Sequence, residues 1–326
     1  MNTLGIDVSK MQLDVSLKTA ERLYSGHFVN NSSGLKKLDQ WLKNKSQIDF
    51  RVCLESTGRF SDLPATHFFE QGRSVHVVNP VRISAYRKSQ LKRHKTDKED
   101  AKLIAEFASR ETLTLWSPPT EFQREIQEIS RHLDFLKKER TRLKNKIKSG
   151  VRSEEVLKGL LDQLAFLELQ IKEFQKKLIS MAKSHVETQE VFQLLVSISG
   201  IGALTAAKLI AEVGDFAQYL TVKQIVAHAG LSPKIVESGS SVRRQTRLSK
   251  TGNKRLRTAL YMPAIVAIKH NPICKAKAER MEKEGKGRKV IICAVMRQLL
   301  HIAYGVVKNK TPFDPEFSTS RIGVDR

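Results

Sequence analysis

Over residues 1–110 the chain alternates short β-type hydrophobic runs with segments of helical spacing. Residues 3–8 and 13–17 predict two strands around a tight polar turn, and residues 27–30 continue the meander. Ser32 stands where an N-cap belongs, ahead of Leu35, Leu38 and Leu42 at helical spacing. Residues 51–55 and 74–79 predict two more strands, separated by a helix over 63–71. Thr96 caps a helix over 97–109. Hairpin strands first and helix-linked strands afterwards predict an α/β domain with a mixed sheet.

Residues 121–185 contain no proline and change the rhythm. Ile126, Ile129, Leu133, Leu136, Leu143 and Ile147 fall on alternating three- and four-residue steps, with Arg140 interrupting the seam. After Ser149 and Gly150, with Ser153 as a cap, Leu157, Leu160, Leu164, Leu167, Ile171, Phe174, Leu178 and Met181 repeat it unbroken. Two a/d heptad seams predict a helical hairpin that forms a coiled coil, and two strict seams suit an interface between chains; the alternative is a helix pair packed only on its own chain. Beyond it, apolar helices are predicted over 191–197, 203–213, 223–229, 253–269 (kinked at Pro263) and 289–308, with a flexible tail at 313–326. The expected domains are 1–115, 116–186 and 187–312.

Charge narrows the function. The 57 Lys and Arg against 34 Asp and Glu leave a net +23, which points to a polyanionic partner such as DNA or RNA. A membrane fits less well, because no apolar run approaches the ~20 residues needed to span one, and the first residues lack signal-peptide character. Cys53, Cys274 and Cys293 show no metal-ligand spacing. They fit buried thiols in a reducing cytoplasm rather than a zinc finger.

Four carboxylates stand out. Asp7 lies late in the first strand and Glu55 ends another. Asp97 and Asp100, three apart at the start of a helix, share one face, whereas Glu99 points away from it. Acids brought together repel unless cations bind, and hard oxygen ligands suit Mg2+ or Mn2+ in phosphoryl transfer. Arg82, Arg87, Lys88, Lys92, Arg93 and Lys95 form a basic run that leads into Asp97 with no acid between them. A phosphate track should approach a cutting site in this way; a solvated basic loop has the same composition.

Gly5-Ile6-Asp7-Val8-Ser9-Lys10, Leu54-Glu55-Ser56-Thr57-Gly58, Asn79-Pro80 and Lys95-Thr96-Asp97-Lys98-Glu99-Asp100-Ala101 resemble the motifs of DEDD-type insertion-sequence transposases, the Piv-like, bridge-RNA-guided recombinases. The resemblance implies an RNase H-like first domain similar to the Holliday-junction resolvase RuvC. It makes Asp7, Glu55, Asp97 and Asp100 the metal-binding tetrad.

Two C-terminal segments extend the resemblance. Ser197-Ile198-Ser199-Gly200-Ile201-Gly202 precedes an apolar helix, and glycines there let backbone N–H groups approach a phosphate. It looks like a helix-hairpin-helix, although ordinary helix turns also use glycine. Ser238-Gly239-Ser240-Ser241 opens a stretch with seven basic residues (Arg243, Arg244, Arg247, Lys250, Lys254, Arg255, Arg257). Such a loop suits a nucleophile or a phosphate clamp. Gly230-Leu231-Ser232-Pro233, the Ser-Gly loop and Gly252-Asn253-Lys254-Arg255-Leu256-Arg257 resemble the family's transposase domain. Its nucleophilic serine maps onto Ser238, with Ser240 and Ser241 in the same loop. The resemblance implies that both domains contribute to one metal-assisted strand exchange through a phosphoserine–DNA intermediate. The implied partners are donor and target DNA, a structured non-coding RNA, and further copies of the chain as a dimer or a synaptic tetramer. The two rival readings are a RuvC-like metal nuclease without a serine step and a non-catalytic nucleic-acid binder.

Overall fold

The computed structural model describes residues 2–45, 49–90, 97–238 and 242–316; for residues 97–98, 235–238 and 242–246 it describes the backbone alone. The chain forms two compact units, Met1–Pro119 and Thr120–Arg326.

The first unit is a five-stranded mixed sheet between helices, consistent with the RNase H-like expectation. Strands β1 (Asn2–Val8), β2 (Gln12–Lys18) and β3 (Leu23–Val29) form the antiparallel meander. Helix α1 (Ser32–Lys45) then leads to β4 (Phe50–Glu55), which lies parallel to β1. Helix α2 (Asp62–Glu70) leads to β5 (Val75–Val78), parallel to β4. The spatial order is β3-β2-β1-β4-β5.

The two-residue period of β1 sorts its side chains between two cores. Leu4, Ile6 and Val8 pack with Val52, Leu54, Leu35, Leu38 and Phe68 on the face covered by α1 and α2. On the opposite face Cys53, Val78 and Ile83 pack with Leu103, Ile104, Phe107 and Ala108. That face is covered by α3 (Pro80–Ser89) and α4 (Asp97–Arg110). Sequence pattern missed α3 because it buries only Ile83 and so shows no apolar stripe. Its helix signal is local: Asn79 caps it by accepting from Val81 N, and Pro80 sits at the first position.

Gly5 permits the closest approach in this unit. A Cβ there would lie 2.4 Å from Ala101 O and 2.4 Å from Ala105 N, both backbone atoms of α4. Gly5→Ala is therefore expected to push α4 off the sheet, at a cost of about 3 kcal/mol read as a lower denaturant midpoint.

The second unit is helical. Helices α5 (Glu121–Lys148) and α6 (Glu154–Ser184) form the expected hairpin; α7 (Gln189–Val196), α8 (Ala203–Val213) and α9 (Val222–His228) follow. A two-stranded hairpin, β6 (Pro233–Ser238) and β7 (Val242–Leu248), precedes α10 (Lys254–His270), α11 (Pro272–Lys283) and α12 (Arg288–Asn309). Helix α10 continues through Pro263, and α11 has no counterpart in the pattern reading because it buries only Cys274 and Ala278.

The hairpin is rooted in this unit's own core. Ile126, Ile129, Leu133 and Leu136 share one cluster with Ile171, Leu178 and Ala182, and with α7, α8, α10 and α12. Across the hairpin Lys144 pairs with Glu168 at 2.8 Å. The heptad residues nearest the base of the hairpin thus pack within the chain. What α6 leaves outward is a different apolar set, with Phe166 61% and Leu169 59% exposed.

Helix α12 corrects one expectation. By length and composition it is apolar enough to cross a membrane. Here it buries Ile291, Ile292, Val295, Met296, Leu299, Leu300 and Ala303 in the helical core.

Candidate active site

Two of the four acids, Asp7 and Glu55, lie at one edge of the sheet. Asp7 and Glu55 each lie one residue beyond the paired Ile6 and Leu54 of two parallel neighbours, β1 and β4, so they sit side by side at the strands' carboxyl ends. Both belong to the sheet face that carries α4, as Gly5 and Cys53 do two residues earlier. Both are half-buried.

Helix α4 runs antiparallel to β1. Near its end, Ser109 Oγ accepts from Lys18 Nζ at 3.1 Å, and Lys18 is paired with Thr3 at the start of β1. Its beginning, with Asp97 first and Asp100 one turn on, therefore lies toward Asp7. Carboxylates are favoured there because a helix N-terminus carries partial positive charge. Asp100 is buried, and Arg87 of α3 forms an ion pair with it. Glu99 pairs instead with Lys102 at 2.8 Å. Thr57, two residues past Glu55, has a buried hydroxyl with no partner among the described residues.

Among the described residues no three His, Cys, Asp or Glu side chains are grouped to hold a metal ion. The donor chemistry fits one nonetheless. β1, β4 and the first turn of α4 each carry hard oxygen donors toward the same sheet edge, Thr57 with its orphaned hydroxyl follows Glu55 by two residues, and the side chain of Asp97 lies outside the described residues. The cysteines take no part. Burial pushes Cys53 and Cys274 each up to about 12, so neither is a thiolate at neutral pH.

Of the basic run, Arg82 pairs with Glu111 at 3.2 Å and lies over the Phe107 ring, while Lys88 is exposed. Lys92, Arg93 and Lys95 lie outside the described residues.

In the second unit Ser238 is the last residue of β6, opposite Val242 of β7. Arg243 and Arg244 follow on β7, opposite Glu237 and Val236, and Arg247 lies opposite Lys234. Ser240 and Ser241 lie outside the described residues.

The Gly-Asn-Lys segment anchors this hairpin. Gly252 takes φ +136°, and a Cβ on it would lie 2.3 Å from His228 O. Asn253 N donates to that same carbonyl at 2.6 Å. The Asn253 side chain caps α10 by accepting from Arg255 N and Leu256 N, and it donates to Glu212 Oε2 at 2.8 Å. Arg257 donates to Ala229 O at 2.9 Å, and burial lowers its pKa. Arg257 is thus turned to the backbone, whereas Lys254 and Arg247 are exposed.

Sequence reasoning missed Glu212. It is buried, with Arg131 of α5 3.5 Å from its Oε1. The available signal was a lone acid in the otherwise apolar stretch 209–213. Desolvation of the His228 ring lowers its pKa despite the raising effect of its bond to the Glu212 backbone.

The glycine turn between α7 and α8 is present, and its two glycines differ. Gly200 takes φ +105°, and a Cβ on it would meet Ala267 Cβ of α10 at 2.8 Å, so it serves helix packing. Gly202 is exposed at the start of α8 with open space around it.

An RNase H-like sheet with acids at the carboxyl ends of its first and fourth strands and at the start of the covering helix defines a DEDD-type transposase domain. Comparison with known proteins gives the family. Residues 4–153 match the DEDD transposase family of IS110 type, and residues 192–279 match the transposase IS116/IS110/IS902 family. The chain is 31% identical over 314 residues to the pilin gene-inverting protein of Moraxella lacunata, covering 95% of this chain and 97% of that protein. It is 29% identical over 250 residues to the transposase for insertion sequence element IS1111A of Coxiella burnetii, covering 67% of this chain and 66% of that protein. The chain belongs to the IS110-type transposases.

Proposed function

We propose that this transposase moves an insertion sequence by DNA strand exchange through a phosphoserine intermediate on Ser238. In this reading Asp7, Glu55, Asp97 and Asp100 hold Mg2+ or Mn2+, and a structured non-coding RNA pairs with donor and target DNA. The observation that carries the reading is the convergence of β1, β4 and the first turn of α4 on one sheet edge, each bringing carboxylates. Relatives named as a pilin gene-inverting protein and as insertion-sequence transposases support DNA as the substrate.

The bound ion supplies Lewis-acid charge at the scissile phosphate and lowers the pKa of a coordinated hydroxyl. Ser238 Oγ loses its proton and bonds to phosphorus as the bond to the departing sugar oxygen breaks, and that oxygen takes up a proton. A sugar hydroxyl from the other duplex then attacks phosphorus and returns the serine. Each step exchanges one phosphoester for another, so no external energy source is needed. Arg243 and Arg244 offset charge building on phosphorus. Arg82, Arg87, Lys88, Lys92, Arg93 and Lys95, with Arg247, Lys254 and the exposed Gly202 of the helix-hairpin-helix, follow the nucleic-acid backbone. Exchange between two duplexes needs several copies of the chain. The outward apolar residues of α6 favour assembly as a dimer that pairs into a tetramer, acting in the cytoplasm at the nucleoid.

Strand exchange by the purified chain, with and without RNA transcribed from the DNA flanking its gene, tests the reading. Exchange that ignores the RNA would leave the protein as the reader of DNA sequence. Binding to duplex DNA is expected to weaken steeply with salt, with a log–log slope of about −0.9 per phosphate contacted. Arg243→Ala with Arg244→Ala should flatten that slope by about two in fluorescence anisotropy across a salt series. A near-zero slope in the parent would assign the +23 charge to another purpose.

A further inference from the structure

Asp100 of the tetrad is paired with a cation that belongs to another helix. Arg87 sits in the last turn of α3 and Asp100 in the first turn of α4. We propose that Arg87 is a guard cation that occupies Asp100 in the free protein and makes divalent-metal binding at the acid cluster conditional on nucleic acid. The proposal rests on the reading of Asp7, Glu55, Asp97 and Asp100 as metal ligands.

The physics is competition for one charge. The Asp100 side chain is only 12% exposed, so leaving it without a cation is costly, and Arg87 gives way when another cation takes over. A guanidinium next to a divalent ion repels it, so the pair as it stands weakens metal binding. A phosphate is the natural alternative partner for Arg87, because its oxygens accept the planar fork at two points. The Arg87 side chain is 21% exposed, which leaves it within reach of a phosphate. Its helix has no acid, and Arg82 and Lys88 stand exposed on it. Because Arg87 and Asp100 lie on different helices, they can part by rotation of one side chain. Nucleic acid then takes Arg87, the metal takes Asp100, and each ligand favours the other by the same factor. A chain without DNA would carry no loaded metal centre and would not hydrolyse phosphodiesters at random.

The test is a Mn2+ titration of the full chain, followed by the electron paramagnetic resonance of the free ion. It is run with and without a short blunt DNA duplex, after subtraction of binding to the duplex alone. Without DNA, Arg87→Gln is expected to bind Mn2+ roughly tenfold more tightly than the parent, and Arg87→Lys to stay near the parent. The duplex should tighten Mn2+ binding to the parent about tenfold and to Arg87→Gln much less. Equal Mn2+ affinity of the parent and Arg87→Gln without DNA overturns the proposal, even if Arg87→Gln melts at a lower temperature; that combination would assign Arg87 to joining α3 to α4. Asp7→Asn separates this failure from a deeper one. If no form of the chain binds Mn2+ in an Asp7-dependent way, the metal-ligand reading fails and the guard role falls with it.

Discussion

Asp7→Asn and Glu55→Gln are each expected to abolish strand exchange while leaving DNA binding intact or slightly tighter. Each swap keeps the side chain's shape and removes one ligand charge. A divalent ion contributes several kcal/mol of transition-state stabilisation in phosphoryl transfer, so the loss should reach roughly a thousandfold or more. Tighter DNA binding follows from removing an acid beside a phosphate path. Asp97→Asn should behave alike. Asp100→Asn carries a second effect, since it also breaks the pair with Arg87, and its thermal unfolding temperature should fall. Glu99→Gln is the internal control. It loses the partly exposed pair with Lys102, worth about 0.3–0.5 kcal/mol, and should exchange strands normally. Normal exchange by both Asp7→Asn and Glu55→Gln would remove the acid cluster from the chemistry.

Much of the first unit was legible because its elements carry their own periodicity. The alternation of Leu4, Ile6 and Val8 with Thr3, Gly5 and Asp7 sets both the strand and the face its acid shares, and Leu103, Ile104 and Phe107 mark the covering helix. Helices α3 and α11 were not legible, since each buries too little to leave a stripe. The β6–β7 hairpin escaped for a related reason: its strands are dominated by charged and small residues, and pairing, not burial, defines them. The heptads of α5 and α6 revealed a seam without saying what fills it, because an apolar stripe is equally satisfied by a helix of its own chain. At the site, strand ends placed Asp7 and Glu55, but the partners of arginines depend on tertiary contacts. Arg87 and Arg257 read as two more cations in basic runs. In the fold the first is spent on a carboxylate and the second on backbone carbonyls.

A nicked DNA substrate is expected to trap a denaturation-resistant adduct on Ser238, formed only with Mg2+ or Mn2+ present, and Ser238→Ala is expected to lose both adduct and strand exchange. A serine hydroxyl is a poor nucleophile at neutral pH and needs a base or a metal to activate it. The histidine nearest before it in sequence, His228, is a poor candidate. It lies at the end of α9, bonded to the Glu212 backbone and set against the Tyr219 ring, with ring centroids 5.7 Å apart. In the proposed reading activation comes from the metal that the acids would hold, so Asp7→Asn should also form no adduct. Gly252, Asn253 and Arg257, just beyond the hairpin that carries Ser238, are fixed on the end of α9 and on Glu212, and none of these contacts involves the serine. Ser238→Ala should therefore fold and bind DNA as the parent does while exchange drops by roughly a thousandfold or more. Ser240→Ala and Ser241→Ala should still form the adduct. Peptide mapping that places the DNA on Ser240 or Ser241 would keep the mechanism and move the nucleophile. Strand exchange without any adduct would sink the serine step, and direct attack by a DNA 3′-hydroxyl at the acid cluster would become the better account.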